Sequence, residues 1–138
     1  MVTTTDTGWQ PRTIKQNKDR RIKITDIALT TSNQVITIIS DVFANEGSVF
    51  FSNQDTTNNA TFKIYGTLYT ADEAGNPINN PENWKQIGND ITLATAGGPT
   101  TPTTELQRFE GGYVMIAITG VSSGTNNNTR ALVYIWER

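Results

Sequence analysis

The sequence predicts an all-β protein, an antiparallel β-sandwich or jelly roll of about eight strands with an extended N-terminal arm. Of its 138 residues, 23 are Thr and 14 are Asn. Thr suits an exposed strand face and Asn suits turns. Short runs of alternating apolar and polar residues follow one another, separated by Gly, Pro and Asn. A single domain of this length has enough chain to bury a substantial core.

Residues 1–20 are predicted to form the arm and residues 21–138 the sandwich domain. The arm is rich in Thr and other polar residues, shows no apolar period, and contains Pro11, which disfavours helix at Gln10. Trp9 is a large apolar group in this mostly polar segment. It either covers an edge of its own domain or anchors in a pocket of a neighbouring molecule, as interface aromatics often do.

The charge of the chain is unevenly distributed. Six basic and two acidic residues give residues 1–23 a charge of +4, whereas five basic and eleven acidic residues give residues 24–138 a charge of −6. Opposite charges favour contact between the arm and the acidic body of a neighbouring copy. We therefore expect an interface formed by the aromatic residue and the cations of this region: Trp9, Arg12, Lys15, Lys18, Arg20 and Arg21.

The first half of the domain reads as three strands. Ile22 and Ile24 share one face of the first strand, whereas Ile27 and Leu29 have the opposite parity, which predicts a β-bulge near Thr25–Asp26. Residues 34–43 are apolar on both parities, as expected of a central strand covered on two sides. Residues 49–51 form a short third strand.

The second half begins with the clearest alternation, in residues 60–70, where Gly66 predicts a bend or a close backbone approach. Two long loops are expected at residues 71–83 and 94–104, which are rich in Gly, Asn and Pro. The remaining strands are predicted at 84–87, 91–93, 105–109, 113–119 and 131–136. The predicted core consists of Ile36, Ile38, Phe62, Ile64, Ile116, Ile118, Val133 and Ile135.

Within residues 58–138, the segments NNATFKIYGTLYT, NWKQIG, ITLATAG, GGYVMIAITGV and ALVYIW occur in this order. This succession resembles small β-sandwich domains of tailed-phage virions. The resemblance implies a structural role on a particle, as a capsid decoration, neck or tail component. It supplies no catalytic residues and does not extend to residues 1–57.

The residue types argue against an enzyme. The chain has no Cys and no His, which excludes thiol nucleophiles, disulfides, and zinc or iron sites built on these residues. The adjacent carboxylates Asp72 and Glu73 lie in a predicted loop, and spacing alone does not pair them with Glu105 or Glu110. The loop oxygens of Asp72, Glu73 and Asn76 either face water or bind Ca²⁺, which prefers such ligands. We expect no catalytic residues, no bound metal and no cofactor.

Sugar binding is the alternative function, because sandwich domains use exposed aromatic rings as stacking platforms. Tyr65 and Tyr69 share one face of a predicted strand and are the candidate ligand-binding residues. They either stack on a glycan or pack across strands on a second sheet face. Trp84 and Trp136 are expected to be core residues.

We expect other virion proteins and further copies of the chain as partners. Nucleic acid is not expected, because the body behind the cations is negative and repels phosphate. No apolar run reaches the roughly 20 residues that span a bilayer, and residues 1–6 show no export signal, so no membrane contact is expected. The sequence therefore predicts a non-enzymatic virion protein, assembled in the host cytoplasm, that packs as repeated copies through its arm.

Overall fold

The computed structural model describes residues 12–14, 17–39, 44–68, 81–98 and 100–137. These residues form ten strands and a short 3₁₀ turn at Pro81–Asn83. The strands are β1 (Arg12–Ile14), β2 (Asn17–Leu29), β3 (Gln34–Ile39), β4 (Ala44–Asn53), β5 (Ala60–Thr67), β6 (Lys85–Gln86), β7 (Ile91–Leu93), β8 (Thr103–Tyr113), β9 (Met115–Ser122) and β10 (Asn126–Glu137). In the part of the chain that the structure describes, no helix has the length and apolar character needed to cross a membrane.

The strands form two antiparallel sheets. Sheet I has the order β1-β2-β10-β4-β8, and sheet II has the order β3-β9-β5-β6, with β7 also paired to β5. Among these ten strands the chain changes sheet at six of the nine connections, so that strands adjacent in sequence usually lie in opposite sheets. The order β2-β10-β4-β8 against β3-β9-β5-β6 is that of a jelly roll. The predicted all-β sandwich is confirmed.

The main core lies between the sheets because one parity of each strand is apolar. Seven of the eight predicted core residues are at most 2% exposed and belong to it: Ile36, Phe62, Ile64, Ile116, Ile118, Val133 and Ile135. At its centre, the rings of Phe51 and Phe62 stack with their centroids 4.5 Å apart. Alternation alone therefore identified most of the interior correctly.

The eighth predicted core residue, Ile38, is a wrong assignment. A register shift between Val35 and Thr37 marks an irregularity in β3, after which the parity is reversed. Ile39 therefore joins Ile36 in the main core, and Ile38 packs in a second cluster on the other side of sheet II. The prediction of a central strand here is also wrong, because β3 is at the end of the strand order in sheet II.

The bulge predicted in β2 is confirmed. Asp26 has a φ of +54°, and the pairing with β10 passes from Ile24 opposite Ala131 to Ile27 opposite Thr129. Between these two pairs the chain advances by three residues on β2 and by two on β10, so β2 contains one extra residue. The extra residue keeps Ile24 and Ile27 both buried although their parities differ.

The described part of the arm belongs to the domain's own sheet. Residues Arg12–Ile14 form β1, which pairs with the start of β2, Arg12 lying opposite Asp19. Arg20 lies opposite Ile135 of β10. The expected boundary between residues 20 and 21 therefore falls inside β2, which begins at Asn17, opposite Ile14 of β1, and pairs with β10 from Lys18 onward.

Candidate interaction surface on the outer face of sheet I

Strand β2 places cations on the outer face of sheet I. Ile22 and Ile24 are buried, so the alternating residues Arg21 and Lys23 point away from the core. The guanidinium carbon of Arg21 lies 5.5 Å from the ring centroid of Tyr134, which is opposite it on β10. This distance is within the range of a cation–π contact. Arg21 is therefore oriented by a ring of its own sheet.

The structure describes the other predicted interface residues only in part. Arg12, Lys18 and Arg20 lie in strands of sheet I, and their backbone positions are described. Trp9 and Lys15 lie outside the described residues. Of the predicted interface residues, Arg21 is therefore the one whose side chain is described on the outer face of sheet I.

Three large apolar side chains are exposed side by side on the same face. Leu132 of β10 lies opposite Phe50 of β4, and Phe50 lies opposite Leu106 of β8. Their exposed fractions are 36%, 44% and 54%, respectively. We call these three residues the apolar row. A contiguous apolar patch of this kind is typical of a surface that meets another molecule, whereas single exposed apolar residues need no explanation.

Basic side chains lie around the apolar row. Lys23 is opposite Leu132 on β2 and continues the row. Arg130 precedes Leu132 by two positions, so it faces the same side, and it is exposed. On the other side, the Arg108 Nη2 atom lies 3.8 Å from Glu46 Oε2 across β8 and β4. Among the described residues, Arg130 takes part in no ion pair.

A depression of about 340 Å³ opens at the β2 end of the apolar row. Ile24 and Ala131, the last regular pair before the β2 bulge, are among its lining residues, although their side chains belong to the main core. The other lining residues are two members of the apolar row, one serine and three cations: Phe50, Leu132, Ser52, Arg21, Lys23 and Arg130. No carboxylate is among the described residues that line it. The depression therefore combines two exposed apolar side chains with three cations.

A second depression, of about 300 Å³, lies along the same face toward the other ends of β4 and β8. Leu106, Arg108 and Tyr134 contribute to its lining, together with Glu46. Unlike the first depression, it contains charges of both signs. The apolar row thus lies between a purely basic site and a mixed one.

The apolar row was not predicted from the sequence, although the sequence contains a signal for it. Residues 49–51 and 131–136 are apolar on both parities, whereas only one face of β4 and β10 is needed for the core. Such segments lead one to expect either a second covered face or an exposed patch. Which of the two applies, and which strands lie beside each other, is seen only in the folded structure.

Tyr65 does not form the exposed platform that glycan stacking requires. It is 8% exposed and packs with Trp84, Met115 and Ala117 in the second cluster, on the outer side of sheet II. The cause is the coverage of this face by Trp84, which follows the 3₁₀ turn. The burial of Tyr65 favours the interpretation as a packing residue, and ligand binding at this position stays a prediction. Tyr69 lies outside the described residues.

The carboxylates considered for catalysis or Ca²⁺ binding do not form a described site. Glu105 and Glu110 are both exposed on β8 and lie five positions apart in sequence. Asp72, Glu73 and Asn76 lie outside the described residues. Within the ranges that the structure describes, no group of three or more acidic residues is arranged to hold a metal ion.

Comparison with known proteins gives no family. No family model matches the chain, and no curated protein matches it. Among solved structures, the chain is similar to the carbohydrate-binding module TmCBM61, determined in complex with β-1,4-galactotriose. The TM-score is 0.31 and the sequence identity is 9%, over 94% of this chain and 67% of that chain.

Proposed function

We propose that this protein is a non-enzymatic structural component of a virion, acting as a capsid decoration, neck or tail protein that packs as repeated copies. The observation that carries the proposal is the apolar row, which runs from β10 to β8, the last strand of sheet I, and is bordered by cations. The resemblance of residues 58–138 to tailed-phage sandwich domains supports the virion setting.

The composition of this face favours a protein partner. Interface centres are enriched in aromatic residues and Arg, and the exposed face combines Phe50 with Arg21 and Arg130. Fully burying a Leu or Phe side chain is worth about 1.5–3 kcal/mol. The apolar row is only about half exposed, so its three residues contribute part of that amount. Many weak contacts of this size act together when copies are held on one lattice.

The arm keeps a role in this proposal, but over a shorter segment. Because Arg12–Ile14 and β2 belong to the domain's own sheet, the segment proposed to reach a neighbouring copy is reduced to residues 1–11. Trp9 would supply buried apolar area there. The cations from Arg12 onward would set orientation from the rim of sheet I.

Carbohydrate binding is the alternative. Among the described aromatic residues, Phe50 has the greatest exposure and lies on the outer face of sheet I between Ser48 and Ser52. A glycan platform at this place would lose its ligand in the Phe50→Ala variant, and one at Tyr69 would lose it in Tyr69→Ala. Glycan-array binding that is lost in the Phe50→Ala or the Tyr69→Ala variant would support carbohydrate binding over the proposed assembly function.

The proposal is tested by sedimentation velocity at high protein concentration and low salt. We expect the full chain to self-associate and the Leu132→Glu variant to remain monomeric, because a carboxylate would be placed within the apolar row. Leu68→Glu is the matched control, since Leu68 is 61% exposed and directly follows β5 of the other sheet. A full chain that stays monomeric under these conditions would refute packing as repeated copies.

The arm is tested by a deletion that ends at residue 11. A longer deletion to residue 21 would remove β1 and the first five residues of β2 and would confound assembly with folding. We expect weaker self-association in the shorter deletion with an unchanged unfolding transition. The virion setting is checked by the neighbouring genes: we expect capsid or tail genes on either side of the gene that encodes this protein.

A further inference from the structure

The outer face of sheet I carries opposite charges at its two ends along the strands. At one end, Arg130 of β10 lies opposite Ser52 of β4. At the other end, Glu46 of β4 lies opposite Glu110 of β8. Arg130 and Glu110 are both exposed, and neither takes part in an ion pair among the described residues. Glu46 differs from them, because its carboxylate lies 3.8 Å from Arg108.

The apolar row lies close to the midpoint between these two charged ends. Ser52 and Glu46 are six residues apart on β4, a distance of about 20 Å in a strand. The midpoint is at Val49, and the next residue is Phe50 of the apolar row. A twofold axis that lies in the plane of the sheet and crosses the strands at this level exchanges the two charged ends. The same axis keeps the apolar row at the centre of the contact.

We propose that two copies form a symmetric dimer through the outer faces of sheet I, related by this twofold axis. The inference rests on the proposed assembly function and specifies the geometry of one of its contacts. The partner of the face is the same face of a second copy, so every contact occurs twice. Arg130 of each copy then faces the end of the other copy that carries Glu46 and Glu110, which is an arrangement of complementary charge.

The centre of this dimer joins the apolar row to the row beside it. That row contains Tyr134, Ser48 and Arg108, which lie opposite one another on β10, β4 and β8. An axis between the two rows places Leu132 on Tyr134 of the second copy and Phe50 on Ser48 of the second copy. Leu132 and Phe50 are 36% and 44% exposed, so the contact removes apolar area from water.

Cations at the β2 margin oppose this contact. The axis brings Lys23 of one copy near Arg21 of the other. Both side chains have further interactions within their own chain, and Arg21 also lies over the Tyr134 ring. Their formal charges therefore do not decide the symmetry. The repulsion between them, which is screened over about 10 Å at 0.1 M salt, lowers the affinity of the dimer.

The size of the face also points to a weak dimer. From β2 to β8 it crosses three strand-to-strand intervals, or about 14 Å, and it extends about 20 Å along the strands. This area of about 280 Å² is smaller than the roughly 800 Å² that each partner contributes to a standard interface. We therefore expect association at high protein concentration, of a strength that becomes effective when copies are held on one particle.

The first experiment uses the absence of Cys from the chain, which allows a single introduced thiol to report the symmetry. Ser48 lies one residue from the axis, so it is about 7 Å along the strands from Ser48 of the second copy. Ser52 lies three residues from the axis, so the corresponding distance is about 20 Å. We expect a short bismaleimide linker to join two copies of Ser48→Cys and to leave Ser52→Cys, the matched control on the same strand and face, as monomers.

The second experiment measures self-association of two charge-reversal variants by sedimentation equilibrium. Arg130→Glu is expected to weaken it by at least about tenfold, because the variant places a carboxylate against the acidic end of the second copy at two equivalent contacts. Lys85→Glu makes the same change in net charge at an exposed position of β6 in sheet II. It is expected to change the association by less than about twofold.

The outcomes separate the inference from the function on which it rests. Self-association of the wild-type chain without crosslinking of Ser48→Cys, or with equal crosslinking of Ser52→Cys, would overturn the twofold geometry and leave assembly intact. Equal weakening by Lys85→Glu and Arg130→Glu would show a net-charge effect and would also overturn the geometry. A wild-type chain that does not self-associate would overturn the assembly function itself.

Discussion

The side chains of Asn126 and Asn53 are joined by a buried hydrogen bond between positions 73 residues apart in sequence. The Asn126 amide nitrogen donates to the Asn53 side-chain oxygen at 3.1 Å, and both residues are fully buried. The Asn53 amide nitrogen donates to the carbonyl oxygens of Asn58 and Ala94 at 3.1 and 3.0 Å. Its oxygen also accepts the backbone N–H of Asp55 at 3.1 Å. All four hydrogen-bonding positions of this amide are thus used, and Asn53 connects the loop after β4, the loop after β7 and the start of β10.

Replacing Asn53 by Asp should destabilise the protein by about 3 kcal/mol or more at neutral pH. The carboxylate has no N–H to donate, so the carbonyl groups of Asn58 and Ala94 each lose a donor, and a charge is placed at the fully buried position of Asn53. Urea denaturation followed by circular dichroism measures the change. Asn127→Asp, at an exposed neighbouring position of β10, is the matched control and should change stability by less than about 0.5 kcal/mol. Similar losses in both variants would contradict the role assigned to Asn53.

Asp55 should make folding stability depend on pH below about pH 4. Its carboxylate accepts the backbone N–H groups of Asn58 and Thr57, each at 2.7 Å, and these bonds hold the pKa of Asp55 below its ordinary value of 3.8. Because the folded state prefers the ionised form, the associated stability is present above pH 3.8 and is lost as the pH falls through the lowered pKa.

The Asp55→Asn variant keeps the shape and an oxygen acceptor but removes the charge. We expect wild type to exceed it in stability at pH 7, with the difference shrinking as the pH falls below 3.8 and through the lowered pKa of Asp55. Denaturant titrations of both proteins at a series of pH values measure this difference. A difference that stays constant over that range would show that the charge of Asp55 does not contribute.

Gly66 should tolerate no side chain while Tyr113 is present. A Cβ atom at Gly66 would lie 2.5 Å from Tyr113 Cδ1 and 2.7 Å from Cε1, which confirms the close approach predicted from the glycine in this strand. Gly66→Ala should therefore cost about 1–3 kcal/mol through overpacking. In a Tyr113→Ala background the same substitution should be neutral or stabilising, since Ala is otherwise preferred to Gly within a strand.

A double-mutant cycle of Gly66→Ala and Tyr113→Ala measures this coupling from four unfolding curves. The expected coupling energy is about 1 kcal/mol or more. Additive effects of the two substitutions would mean that the ring moves aside without cost.

Trp84 should be replaceable by Phe at little cost. Its indole Nε1 is buried and has no hydrogen-bond partner in the structure, and an unpaired buried donor costs about 1–3 kcal/mol. Phe removes this donor but leaves some empty volume, so we expect a net change within about 1.5 kcal/mol. Trp84→Ala should cost about 3–5 kcal/mol, because it removes the side chain that covers Tyr65 and Met115. Equal losses in the two variants would indicate that the indole N–H is satisfied in solution.

The fold was largely readable from local patterns, and the candidate surface was not. Alternation identified the buried faces of β5, β9 and β10, and the parity change in β2 identified its bulge. The assignment of Ile38 to the core was wrong because residues 34–43 are apolar on both parities. In such a segment the sequence does not reveal the irregularity in β3 that reverses the buried parity. Residues 12–20 were also assigned to the arm, because a hairpin on a sheet edge needs few apolar residues.

The sequence by itself determined which side chains of each strand point inward, since the two-residue period of a strand is a local property of the backbone. It also determined that cations would cluster near the start of the domain. Only the tertiary structure decided that Leu132, Phe50 and Leu106 lie in one row with Arg130 beside them. Strands recognise one another mainly through backbone hydrogen bonds, which nearly every residue offers, so the choice of neighbours depends on the packing of the whole sandwich.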